Sequence, residues 1–559
     1  MNAPRTVPPH PVATGPAPRD LPDLVLRLAR VDPTAVVAID KGPEGADLPV
    51  TRGELVVRVA SLAAQLADVG VGRGDCVAVW LPNWSDALVW QFAVAARNAH
   101  VIGVNTRYNV EEVAHVLRRA RPRIVALAHG FHGLDLHDRL RAAVALAEVA
   151  PPVVVPVPGP GGPTGDPAAV DVGGGAWAVK PGEAAEPDPS DPDALAVAFT
   201  TSGSTGMPKL AAHRGAGVLA HAVADAAAIG ITGPDAVLCA LPLSGVFGYN
   251  TAMAALAAGA VCVLEPVFDA DAVLDDMAAH RVTHVVGGDD LLLRLHEGWR
   301  ARTRDLSAWR WCGVADFQGR SRELAVWARD AFGTATTGVY GSSEVFALTS
   351  FWPADEPEPG RWDGGGRVVH PGIEVRVADP VTEEVLAPGA EGELQFRGPN
   401  VVDAYLGDPD AAGRAFTGDG WFRSGDLGVL VDDGAFTYVC RMGDALRLRG
   451  FLVDPAEIEF RLAAHADVHT AKVVGIDGAD GATRAIAFVV GEPDAAPDPE
   501  ELRAWCGAAL ARFKVPDAVH VVAEMPTTTG TNGTKIRAAT LREWARNAAE
   551  GGTSGPFVP

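Results

Sequence analysis

The 559-residue chain contains no uninterrupted apolar run long enough to span a membrane, which argues against a helical membrane protein. Met1 to Pro22 is rich in Pro, Ala and Arg and has no apolar core of the kind secretory leaders carry, so a cytoplasmic protein is expected. Basic residues are few: 47 Lys and Arg stand against 70 Asp and Glu, a formal net charge of −23. Such an acidic chain is ill suited to phosphate-dominated nucleic-acid binding or to a polybasic membrane contact. Any anionic ligand must be met by local cations and backbone N–H groups. Cysteine is also scarce. Cys76, Cys239, Cys262, Cys312, Cys440 and Cys506 form no C-x-x-C pair and have no His at metal-ligand spacing, so they read as reduced, buried thiols. No internal repeat is visible.

What is present is ample core material. Hydrophobic residues make up 48% of the chain, and its length implies two or more domains. The patterning predicts helices over Asp23–Val31, Arg52–Val69, Ser85–Ala96 (Ser85 as N-cap) and Glu111–Ala120. Short apolar runs predict strands at Cys76–Leu81, Val101–Val104, Leu195–Phe199, Val237–Leu241, Val261–Leu264 and His284–Val286. This alternation implies an α/β fold with helix-covered sheets. Most of Pro151–Pro192, dense in Gly and Pro, reads as a surface excursion rather than a domain boundary. Alternation over Gly372–Phe396 predicts a β-rich subdomain. Beyond Cys440, strands at Ala471–Ile476 and Ala485–Val490 and a helix at Glu500–Ala511 predict a small α+β domain. The expected division is a tail over 1–20, a large domain over 21–440, a small domain over 441–546 and a second tail over 547–559.

The strand Leu195–Phe199 runs into Thr200-Thr201-Ser202-Gly203-Ser204-Thr205-Gly206-Met207-Pro208-Lys209. Two glycines allow tight turning, the hydroxyls add donors without charge, and Lys209 adds a cation; together these suit a polyphosphate. The segment is not a Walker A loop, because Met-Pro-Lys follows Gly206. Alone, such a loop is more often an ordinary polar turn after a strand.

Four segments in order are more specific. Thr201–Lys209, Tyr340-Gly341-Ser342-Ser343-Glu344, Trp421 to Gly428 and Arg441 to Glu459 resemble the phosphate loop and the later motifs of the adenylate-forming superfamily. That superfamily comprises acyl- and aryl-CoA ligases, luciferases and peptide-synthetase adenylation domains. The resemblance spans roughly Leu21 to Arg546. It implies a large domain, a small mobile C-terminal domain, and ATP- and Mg²⁺-dependent transfer of AMP to a small acid. By resemblance, Thr201, Ser202, Gly203, Ser204, Thr205, Gly206 and Lys209 hold the β- and γ-phosphates, and Glu344 binds Mg²⁺. Without that context, Glu344 would read as a helix-start carboxylate. Ser343 donates to the α-phosphate, Tyr340 stacks on adenine, Asp426 accepts from the ribose hydroxyls and Arg441 reaches the ribose or phosphates. Lys535, in Thr534-Lys535-Ile536-Arg537, aligns with the family's catalytic lysine although Thr534 replaces the usual Gly. The hinge position, commonly Asp or Lys, is Gly443, and the usual adenine-binding turn is replaced by Gly313-Val314-Ala315-Asp316.

The family's Pro-Leu-Phe-His-x-x-Gly segment appears as Pro242-Leu243-Ser244-Gly245-Val246-Phe247-Gly248-Tyr249-Asn250. Ser244 and Gly245 replace the aromatic and the His, which opens space. Ser244, Gly245, Val246, Phe247, Tyr249 and Asn250, with Gly341, are the expected acid pocket, sized for an aryl group. The alternative is that several of them pack the following helix. Arg449-Gly450-Phe451 stands where the family forms part of its pantetheine tunnel, so coenzyme A is the expected acceptor. Two other readings are carried: a diazotase of secondary metabolism that activates nitrite for an aryl amine, and a non-catalytic nucleotide binder. A monomer or homodimer is expected.

Overall fold

The computed structural model describes residues 17–162, 166–180, 182, 186–201, 208–317, 319–442, 446–448, 451–453, 455–478, 483–510, 512–530 and 533–549. Two large sheets organise residues up to Arg441. The first has seven strands, in the order Ala404–Tyr405, Leu210–Arg214, Leu195–Thr200, His100–Gly103, Cys76–Trp80, Ile124–His129 and Val153–Pro158. Its central strands are parallel and buried on both faces, which is why they read as unbroken apolar runs.

The second sheet has thirteen strands. One half is the parallel set built around Val261–Leu264, Ala236–Cys239, His284–Gly288 and Trp311–Ala315. The other half is antiparallel and contains Glu374–Ala378, Glu391–Arg397, Phe422–Asp432 and Ala435–Arg441. The β-rich region therefore continues the α/β sheet. The strand Ala335–Ser342 joins the halves, pairing parallel with Trp311–Ala315 early and antiparallel with Phe346–Phe351 late.

Beyond Arg441, Val468–Asp477, Thr483–Gly491 and Ala518–Val521 form a three-stranded sheet packed with Pro455–Ala463, Pro499–Gly507 and Ala538–Ala549. It has its own apolar cores, one around Ile458, Leu462 and Val489 and one around Phe488 and Leu541. The fold class is the mixed α/β arrangement expected: a large N-terminal part of sheets and helices and a smaller C-terminal domain.

Three local expectations are corrected. Ser85 does not cap its helix. The N-cap position is Trp84, and Ser85 instead directs its N–H and Oγ to the buried carboxylate of Asp40, at 2.7 and 2.5 Å. The first helix is Leu21–Val31, capped by Asp20, whose side chain accepts from the Asp23 N–H. Pro151–Pro192 is not wholly an excursion. Val153–Pro158 is the outer strand of the seven-stranded sheet, where the missing N–H groups of Pro156 and Pro158 are tolerated at an edge. All six cysteines are free and buried. No described helix is long and apolar enough to cross a membrane.

Candidate active site

The two large sheets meet where the motifs converge. From the seven-stranded sheet come Leu195–Thr200 and Leu210–Arg214, an antiparallel pair flanking the predicted phosphate loop. The Thr201 N–H donates to the Lys209 carbonyl at 2.8 Å, and the Lys209 N–H donates to Thr201 Oγ1 at 3.2 Å, so the loop is pinched at its base. Tyr108 Oη and Thr200 Oγ1 share a 2.5 Å hydrogen bond, and His115 Nε2 lies 2.6 Å from the Pro208 carbonyl, bracing both arms. Ser202, Gly203, Ser204, Thr205 and Gly206 lie outside the described residues.

From the thirteen-stranded sheet comes the bend in Ala335–Ser342. Gly341 sits at the register irregularity between Tyr340 and Ser342 in the antiparallel pairing with Phe346–Phe351. A Cβ there would fall 2.6 Å from the Phe346 carbonyl oxygen and 2.9 Å from the Ala347 Cα, so the close approach requires glycine. The turn that follows carries Ser343 and Glu344. Glu344 is therefore in a strand-to-strand turn and does not start a helix. Ser343 Oγ donates to the Thr200 carbonyl at 3.4 Å, and His213 Nε2 donates to the Ser343 carbonyl at 2.7 Å; both bonds cross between the sheets. Burial pushes the His213 pKa down to about 4, so the ring is neutral at pH 7. Glu344 is half-buried. Burial raises its pKa, while the charges of Arg441 and Lys209 and a 3.4 Å hydrogen bond from Tyr405 Oη to Oε1 pull it down.

Asp426 is 5% exposed and holds two partners. Tyr340 Oη donates to Oδ2 at 2.6 Å, and Arg441 Nη1 donates to Oδ1 at 2.7 Å. A carboxylate offers about four acceptor positions, so each oxygen can accept once more. The strand before Asp426 is fixed by Ser424 Oγ donating to the Leu394 carbonyl and by the Gly425 N–H donating to Glu393. Arg441 is half-exposed, and the neighbouring carboxylates raise its pKa. Tyr340 lies within an aromatic cluster: Phe396 stacks on it at 5.6 Å, and Phe436 meets it edge-on at 5.1 Å. The role the structure shows for Tyr340 is to hold Asp426.

Residues 27–406 match the family model described as AMP-binding enzyme, and residues 457–531 match AMP-binding enzyme C-terminal domain. The chain belongs to this adenylate-forming family. A (7a-methyl-1,5-dioxo-octahydro-1H-inden-4-yl)propanoyl:CoA ligase of Rhodococcus jostii (strain RHA1) is 30% identical over 86% of this chain and 91% of its own length. A feruloyl-CoA synthase of an Amycolatopsis species is 30% identical over 90% and 95%. Among solved structures, ATP-bound MatB from Rhodopseudomonas palustris superposes with a TM-score of 0.81 at 26% identity, covering 95% of this chain and 99% of that one. The protein is thus an adenylate-forming enzyme of the acyl- and aryl-CoA ligase type. The nitrite and binding-only readings draw no support from these relatives.

In this adenylate-forming enzyme the expected acid pocket is only partly assembled as the sequence suggested. Gly245 is the N-cap of the helix Val246–Ala258, which is buried along its whole length. Gly248 lets that helix press on the preceding segment, since a Cβ would meet the Leu241 carbonyl oxygen at 2.3 Å. Asn250 is engaged in packing: its amide donates to Asp225 Oδ2 at 2.5 Å and to the Ala347 carbonyl at 2.8 Å. Asp225 and His221 lie 3.2 Å apart, fully buried, and burial shifts both pKa values towards the neutral forms. Val246 and Phe247 are buried; Gly341 is exposed. Ser244 and Tyr249 line a cavity of about 20 Å³ with Gln91, Gly103, Phe199 and Leu243. Lys535 falls on the strand Gly533–Ile536, its side chain outside the described atoms, and Gly443, Arg449 and Gly450 lie outside the described residues.

Sequence reasoning missed Tyr405 and His213. One signal was available: the chain has five tyrosines. Four of them, Tyr108, Tyr340, Tyr405 and Tyr438, adjoin these site groups, and Tyr249 lines the cavity.

Proposed function

We propose that the enzyme transfers AMP from ATP to the carboxylate of a small acyl or aryl acid, releases pyrophosphate, and passes the acyl group to coenzyme A. The observation that carries this reading is the convergence of Lys209, Glu344, Asp426 and Arg441 at the junction of the two sheets. The residues fit a magnesium-bound nucleotide. Glu344 offers a carboxylate with one long hydrogen bond and two cations in its field, a hard oxygen donor suited to Mg²⁺. When bound, that ion neutralises phosphate charge and orients the phosphate oxygens.

In this reading the free acceptor positions of Asp426 take the ribose hydroxyls, and adenine packs at the remaining edge of Tyr340. Lys209 and the Thr201–Lys209 loop hold the departing β- and γ-phosphates. Ser343 donates to the α-phosphate, and Lys535, brought by a small domain over 441–546 that turns about Gly443, offsets negative charge as the acid attacks the α-phosphorus. The carboxylate oxygen forms the new P–O bond, the bond to pyrophosphate breaks, and the thiolate of coenzyme A then displaces AMP at the acyl carbon. The pocket that takes the acid is assigned to the region of Ser244, Gly245, Val246, Phe247, Tyr249, Asn250 and Gly341, where the missing His leaves room for an aryl group and Ser244 and Tyr249 line the cavity.

The test is acid-dependent exchange of labelled pyrophosphate into ATP across a panel of aryl and acyl acids, followed by AMP release with and without coenzyme A. Acid-dependent exchange with coenzyme-A-dependent release supports the proposal. Exchange driven by nitrite and by no carboxylic acid would overturn it.

A further inference from the structure

One element beside the nucleotide site has no place in the account above. The segment Asn400–Leu406 bonds first to the thirteen-stranded side and then enters the seven-stranded sheet as its edge strand Ala404–Tyr405. Towards the thirteen-stranded sheet, the Asn400 amide donates to the Val345 carbonyl at 2.5 Å, and the Val402 N–H donates to the Glu344 carbonyl at 2.6 Å. Towards the seven-stranded sheet, the Asp403 N–H donates to the Ala212 carbonyl at 2.9 Å, and the Leu406 N–H donates to the Leu210 carbonyl at 3.0 Å. Tyr405 is the register partner of Ala211, two residues past Lys209.

The Tyr405 side chain repeats this bridging at the level of charge. Its ring lies beneath the Lys209 ammonium, with Nζ 4.8 Å from the centroid. Its hydroxyl points to Glu344 Oε1 at 3.4 Å. Among the described residues Lys209 makes no ion pair, so the ring face is the electron-rich surface it rests on. The same side chain thus touches the cation expected to hold the terminal phosphates and the carboxylate expected to hold the metal. A tyrosine 4% exposed is also fixed in position by its packing.

We infer that Tyr405 is a positioning residue that sets Lys209 and Glu344 at a fixed spacing before nucleotide arrives, the ring acting on the lysine and the hydroxyl on the glutamate. The inference rests on the proposed roles of those two residues. It predicts separable effects. Tyr405→Phe keeps the ring and removes the hydroxyl, so it weakens ATP binding in the presence of Mg²⁺ by about 3- to 10-fold, the scale of one ordinary hydrogen bond, and changes Mg²⁺-free ATP binding less than twofold. Tyr405→Leu removes both contacts and weakens binding under both conditions, by about fivefold without Mg²⁺.

The experiment is calorimetric titration of ATP into the whole protein without any acid, with and without Mg²⁺, for both variants and for each in Lys209→Ala and Glu344→Gln backgrounds. The expected result is that the leucine variant's Mg²⁺-free loss disappears once Lys209 is gone, and the phenylalanine variant's loss disappears once Glu344 is neutralised. Native binding by both Tyr405 variants overturns the inference. So do losses that persist in every background, which would mark a general packing role; melting temperatures taken alongside show whether Tyr405→Leu remains folded, and Tyr405→Phe tests the hydroxyl arm if it does not. Should Lys209→Ala and Glu344→Gln themselves bind ATP like the native protein, the proposed nucleotide site fails, a result distinguishable from failure of Tyr405 alone.

Discussion

Asp426 and Arg441 are register partners on adjoining antiparallel strands, and the guanidinium reaches the carboxylate at 2.7 Å. The strand pairing itself therefore presets the charge pair, and Tyr340 closes the other oxygen. Asp426→Asn keeps the shape but removes the charge and one acceptor. ATP affinity is expected to fall about 10- to 100-fold, the scale of losing hydrogen bonds to a charged group. Calorimetric titration of ATP checks this, and affinity within twofold of native would remove Asp426 from the nucleotide site.

Lys535→Ala is expected to slow adenylation about 10²- to 10³-fold, as loss of one preorganised cation or donor does. ATP affinity should change far less. Single-turnover release of pyrophosphate is the measurement, and a near-native rate would move the catalytic lysine elsewhere.

Gly341→Ala places a methyl group 2.6 Å from the Phe346 carbonyl oxygen, where backbone must shift. The expected cost is about 1–3 kcal/mol of stability, read from denaturant unfolding followed by tryptophan fluorescence. An unchanged midpoint would show that the bend can open.

These contacts show where the sequence was informative. The central strands were legible because burial on both faces leaves uninterrupted apolar runs, as in Cys76–Trp80. Asp426 and Glu344 were visible because their motifs are short and local. Ser85 misled because its position, after a strand and before a helix, has the look of a cap; its partner Asp40 is 45 residues away and unreadable from local pattern. Val153–Pro158 was hidden by prolines that an edge strand tolerates. The partners of Asn250, Asp225 and the Ala347 carbonyl, were not legible because they belong to other elements. Tyr405 was missed for the same reason: its meaning lies in two partners on two different sheets.

The buried histidines predict acid sensitivity. His213 and His221 are held neutral in the fold, each with a pKa lowered by burial to about 4, against 6.5 in the open chain. Between those values the unfolded chain binds more protons, so the contribution to stability is present above pH 6.5 and is lost as pH falls towards 4. For His213 the full span corresponds to about 3 kcal/mol. His213→Gln retains a donor for the Ser343 carbonyl and removes the titration. Its melting temperature, compared with the native protein from pH 7.5 to 4.5, should gain on the native value as the pH drops; a constant difference would refute the assignment.

The turn after Ala335–Ser342 carries Glu344 from one sheet towards Lys209, which precedes the strand Leu210–Arg214 of the other, and Asn400–Leu406 bonds to both sides of that seam. On the proposed roles of Glu344 and Lys209, ATP bound to both would stabilise molecules in which the two sheets have come together. Substitutions far from the ligand that alter how the sheets meet should register first as a weakened thermal response to ATP, before any loss of secondary structure.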